Sequence, residues 1–223
     1  MSFVKSFLKI VFLGLGYIST SSEYINANGS LRISDEKALN KTIKSALLGN
    51  SGDAFKLYEH YAMANDFYDI GKKWLEIFAE NSLDENQWMG FYNWASCLER
   101  DNDIERHEFW YHLAYINNIV KKYPHHIENK YPDFKIDEDN NDVIISESNV
   151  KEIEIKVKHG NKYLPLKLAQ YYKDNDQKYK YWLRIGAQNG SNECMKEYAE
   201  LLKQSGDEYD KIRAEFWEKK SKS

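Results

Sequence analysis

Proline is nearly missing from this chain: three residues in 223, beside 11 glycines and two cysteines. So few breakers exclude collagen-like, proline-rich and low-complexity architectures. Two cysteines are too few for a disulfide-stapled scaffold. The apolar stretch Ile10–Ile18 falls well short of the roughly 20 residues a helix needs to cross a bilayer. Positive charge is not in excess, since the formal net charge is −4. A chain without a basic stripe is a poor match for the phosphates of nucleic acid. The hydrolase patterns Gly-x-Ser-x-Gly and His-Glu-x-x-His do not occur.

Aromatic residues are abundant, at 15% with 17 Tyr and 6 Trp, and they recur. Trp74-Leu75-Glu76-Ile77-Phe78-Ala79-Glu80-Asn81-Ser82 and Trp182-Leu183-Arg184-Ile185-Gly186-Ala187-Gln188-Asn189-Gly190 share one phrase, Trp-Leu-x-Ile-x-Ala-x-Asn-small. A weaker copy begins at Trp110, and Trp217 follows Trp182 after 35 residues. A period near 36 is that of a helical repeat, in which each hairpin buries its apolar face on its neighbours. The predicted fold is all-α, a right-handed α-solenoid of stacked antiparallel helix pairs. Trp74, Trp110, Trp182 and Trp217 follow the period and are expected in the core.

The helices can be placed from pattern. Asp35 to Leu48 forms the first, with Ala38, Leu39, Ile43, Ala46 and Leu47 on one face; Ser51 or Asp53 is placed to cap the next. Asn65-Asp66 and Asp101-Asn102-Asp103 read as turns. The pattern fails over an insertion at about 121–148, which holds Tyr123-Pro124 and Tyr131-Pro132. A helix resumes near Asn149 and ends at Gly160-Asn161, and Pro165 suits a helix first turn. Lys219 to Lys222 reads as a polar terminal cap. Cys97 and Cys194 fall on different helices; stacked helices sit about 8–10 Å apart, too far for a disulfide, so both are expected as buried free thiols.

The N-terminus reads as an export signal over 1–21: Lys5 and Lys9, then Ile10–Ile18, then Ser19-Thr20-Ser21. Residues 22–34 read as a linker and 35–223 as the repeat domain. The expectation is a periplasmic or secreted chain with no membrane insertion once the signal is removed.

Metal and cofactor sites are not expected. His107 and His112 miss the i, i+4 spacing of a helical metal pair. The run Asp137 to Asp142 lacks the glycine a calcium loop needs at its sixth position, and Ser148 stands where its final glutamate would be.

The phrase around Trp182 to Gly190, preceded by Leu168-Ala169-Gln170-Tyr171-Tyr172, resembles the Sel-one-like repeat, a relative of the tetratricopeptide repeat. The resemblance covers roughly Ala46 to Lys219 and is strongest over Leu164 to Gly190; Phe78 departs from it. It implies a protein-binding role. Small exported arrays of this kind resemble periplasmic immunity proteins that neutralise interbacterial toxins of type VI secretion, notably lipase-type effectors. A periplasmic scaffold is the alternative, and a cell-wall-fragment-binding or hydrolytic enzyme a further one. Candidate partner contacts are Trp88 and Tyr92, with Glu59, Tyr171 and Tyr172. Trp88 and Trp94 are six residues apart and diverge by about 120° on a helix, so only one can be fully core.

Overall fold

Side-chain caps set where five of the described helices start. The computed structural model describes residues 31–85, 87–121, 127–138 and 143–223. The expected signal segment 1–21, most of the 22–34 linker, and much of the 137–142 acidic run lie outside the described residues. Those described hold ten α-helices and no strand. They are α1 Glu36–Leu47, α2 Ser51–Tyr58, α3 Tyr68–Glu85, α4 Trp88–Arg100, α5 Ile104–Lys121, α6 Val150–Lys158, α7 Pro165–Tyr171, α8 Asp176–Gln188, α9 Asn192–Gln204 and α10 Glu208–Lys220. A π-helical turn, Glu59–Met63, continues α2.

Asp35 caps α1 by accepting from the Lys37 and Ala38 N–H groups. The cap of α2 is Asn50, whose Oδ1 accepts from the Asp53 N–H at 2.8 Å, and not Ser51 or Asp53. Gly49 takes φ +113° and turns the chain one step early, so Ser51 is already helical and buried, while Asp53 pairs with Lys56. Asn175, Ser191 and Asp207 cap α8, α9 and α10 in the same way. The expected turns hold: Asp66 and Asn102 both reach positive φ.

Each helix packs on the next within α1–α5 and within α7–α10. Trp110 and Trp217 are fully buried, and Trp74 and Trp182 nearly so. Both cysteines are buried free thiols. Trp94 takes the core place on α4 while Trp88 is half-buried. The insertion is a packed strap where it is described: Ile127 is buried, and Tyr131, Phe134 and Ile136 lie on the first core cluster. Lys219 and Lys222 are exposed, but the helix they end is no outward-facing cap. Instead α10 returns to pack on α1, and Arg213, Phe216 and Trp217 are buried.

That return divides the chain into two five-helix halves, α1–α5 and α6–α10, whose cross-contacts come in matched pairs. Arg213 Nη1 donates to the Leu47 carbonyl and to Asn81 Oδ1, at 3.1 and 2.7 Å. Arg106 Nη1 donates to the Lys158 carbonyl and to Asn189 Oδ1, at 3.0 and 2.8 Å. Phe216 lies against Gly49 and Phe109 against Gly160; at each positive-φ glycine a Cβ would fall within 3 Å of that ring. Arg213 stacks on Phe216 and Arg106 on Phe109. When residue i of one half meets j of the other and j's counterpart meets i's counterpart, the contact is isologous, the signature of a two-fold relation. The two halves are related by an approximate two-fold axis.

Candidate functional site

At that axis the two Trp-Leu phrases face each other. Arg184 reaches Glu76 at 3.0 Å and Glu80 at 2.8 Å, and Gln188 Nε2 donates to Glu80 at 2.8 Å and Glu76 at 3.1 Å. Arg213 Nη2 adds a bond to Glu80 Oε2 at 2.7 Å, and Arg106 Nη2 one to Gln188 Oε1 at 2.8 Å. Burial alone would raise the Glu80 carboxyl, but the Arg184 and Arg213 guanidiniums outweigh it and hold its pKa at about 2. Burial does raise Glu76, with Arg184 opposing and Glu80 adding to the rise. Burial also lowers Arg106 to about 10.

Perturbed, convergent groups of this kind are a usual mark of an active site. Here their bonds are mutual: Glu80 takes two guanidiniums and an amide, and each guanidinium is spent on the opposite half. The arrangement joins the halves and fixes which faces meet.

The sequence candidates fall into three places. Trp88 and Tyr92 lie together on α4, ring centroids 6.3 Å apart, and Trp88 packs on the first core cluster. Tyr92 is 37% exposed, and Met89 beside it 47%. Behind them the aromatic row continues: Tyr92 on Tyr111 at 6.0 Å, and Tyr111 on Tyr131 of the strap at 5.6 Å. Tyr171 and Tyr172 lie edge to face at the end of α7. Tyr172 donates to Glu154 Oε1 at 2.8 Å and lies under Lys178, and it packs on the second cluster. Glu59 opens the π-helical turn, partly buried, and burial raises its carboxyl pKa. The first pair has the extended aromatic surface; the second is tied into its own half.

His107 and His112 do not converge. His107 is buried, with Nδ1 at 2.9 Å from the Ala95 carbonyl and Nε2 at 2.8 Å from the Tyr131 hydroxyl. His112 packs on Phe134. No group of three or more His, Cys, Asp or Glu side chains able to hold a metal occurs among the described residues, and none of their helices is long and apolar enough to cross a membrane.

The residues missed from the sequence are Arg106 and Arg213. Their signal was legible: Arg106-His107-Glu108-Phe109-Trp110 and Arg213-Ala214-Glu215-Phe216-Trp217 share Arg-x-Glu-Phe-Trp, 107 residues apart, close to the 108 that separate the two Trp-Leu phrases. The 36-residue period hid this larger unit.

Compared with known families, curated proteins and solved structures, the chain matches no family model, no curated protein and no solved structure.

Proposed function

We propose that this chain is an exported helical-repeat protein that binds one protein partner, and within that class an immunity protein that neutralises a periplasm-acting interbacterial toxin. The observation that carries the binding reading is the aromatic row on α4, α5 and the strap. Trp88, Met89 and Tyr92 stand at its outer edge over the fixed rings of Tyr111 and Tyr131. Large aromatics held by packing lose little freedom on contact and are the residue types that dominate binding energy at interfaces.

Sequential stacking of the helices within α1–α5 and within α7–α10 supports a solenoid of the Sel-one-like kind, read as two short arrays, and its right hand rests on the repeat resemblance alone. A solenoid usually binds along its open inner face. Here the residues at the two-fold axis are spent on each other, which moves the contact face to the α4–α5 side. A net charge of −4 suits a basic partner, steering its approach more than adding to affinity. The toxin class rests on the repeat resemblance and on the N-terminal segment read as an export signal.

Capture of partners from the source cell on the chain lacking residues 1–21, followed by Trp88→Ala and Tyr92→Ala, tests this. One dominant partner should be held by the parent chain and lost from the variants, with the variants still melting as cooperative folded chains. A partner kept equally well by both variants would remove the α4 face from the reading.

A further inference from the structure

The two halves differ most in the link that follows α2 and its counterpart α7. The second half passes from Tyr171 to Asp176 by a short turn, while the first leaves α2 through the Glu59–Met63 π-helical turn and starts α3 only at Tyr68. Inserted π-helical turns recur at functional sites, and an insertion within one repeat commonly carries its binding loop. The added length borders an open pocket of about 410 Å³ against the segment 32–34, within the size range of small-molecule sites.

The chemistry of its wall has one sense. His60 is 7% exposed, and its Nδ1 accepts from the Ile33 N–H at 3.0 Å. That bond puts the ring proton on Nε2, which has no hydrogen-bond partner among the described residues. The Asn65 amide is committed to the His60 carbonyl. Arg32, Ser34, Tyr61 and Phe67 line the pocket as well. Tyr61 lies edge-on to His60, centroids 4.7 Å apart. Among the described residues no carboxylate side chain lines the cavity, and Arg32 is the one lining residue there with a permanent charge. Burial and that guanidinium lower the His60 pKa and favour the neutral, donating ring.

We propose that this cavity binds a small carboxylate, with Arg32 and the His60 Nε2–H taking its oxygens and the Tyr61 and Phe67 rings its apolar part. Carboxylate chemistry of this kind comes either from a free small molecule or from the C-terminus of a polypeptide. The site lies on the α2–α3 link and does not depend on the reading of the α4 face.

The test is titration of the full chain with phenylacetate and, separately, with an N-acetylated tetrapeptide ending in phenylalanine, as free acid and as amide, while the His60 imidazole is followed by NMR. Saturable binding that shifts the His60 ring and is weakened about tenfold or more by Arg32→Gln is the expected result. Arg32 is exposed, so this variant leaves the fold intact. Phenylacetate alone binding assigns a free carboxylate; the acid peptide binding and its amide failing assigns a chain end. The idea is overturned if neither acid saturates by about 10 mM, if the amide binds as well as the acid, or if Arg32→Gln changes nothing.

Discussion

Arg213 and Arg106 occupy matching places in the two halves, yet Arg213 meets the Glu80 carboxylate and Arg106 the Gln188 amide. Around them the axis holds three guanidiniums, of Arg106, Arg184 and Arg213, against the two carboxylates of Glu76 and Glu80. Away from the axis the halves diverge further: α3 and α5 each have 18 residues, against 13 in α8 and α10. The π-helical turn belongs to the first half, and the strap packs largely on the first core cluster. The lesson is that Arg106 and Arg213, and Asn81 and Asn189, stay matched where the halves bury each other, Glu76 and Arg184 have become complementary there, and differences in length gather on the outer links and helix ends. Surfaces that must pack on a near-copy tolerate few changes, whereas outer links are free to acquire binding roles.

The comparison breaks most severely at Glu80. Glu80→Gln gives the first half the residue of the second and leaves the buried Arg213 and the half-buried Arg184 without their shared carboxylate. A loss of about 3–5 kcal/mol is expected in urea unfolding. Trp110→Ala and Trp217→Ala should each cost about 3–5 kcal/mol. Both indoles are fully buried in equivalent places, so the two losses should agree within about 1 kcal/mol; a much smaller loss at one would show the cores to be unlike. Gly49→Ala and Gly160→Ala pair positive φ with a ring that must move, and each should cost on the order of 1–3 kcal/mol.

A pH titration sharpens the same comparison. The Glu80 pKa in the fold, about 2, lies below its ordinary 4.5. Its stabilisation is therefore complete above about pH 4.5 and is lost as the pH falls toward 2. Glu76 is raised, so its cost appears as the pH rises, the opposite sign. Glu80→Gln should flatten the acid limb of the stability curve between those two values, read from melting temperatures. The smallest expected effect on stability is at Trp88→Ala, a half-buried edge position on the first core cluster, with a loss of about 1 kcal/mol in urea unfolding beside a much larger loss of partner binding.

Helices, turns and core were legible because each rests on local signals: the aromatic period, Pro165 at a first turn, and Asp66 and Asn102 at turns. The cap at Asn50 was misplaced by one step because Gly49 turns the chain before Ser51. The closure of α10 on α1 was not legible, since a 36-residue period describes neighbours and is silent on whether the ends meet. The same holds for the π-helical turn, where nothing local in Glu59-His60-Tyr61-Ala62-Met63 opposes an ordinary helix. Trp88 and Tyr92 were found together because one helical turn joins them. His60 and Arg32 were missed because only the folded chain brings residues 28 apart in sequence into one cavity.

The central claim is that the halves form one cooperative body through the network at the axis. Hydrogen exchange of the parent chain and of Glu80→Gln, followed peptide by peptide, tests it most directly. The account predicts that α3 around Glu76–Asn81, α8 around Arg184–Asn189 and α10 around Arg213 lose protection together and by similar amounts. Loss confined to α3, with α8 and α10 as slow to exchange as before, would contradict it.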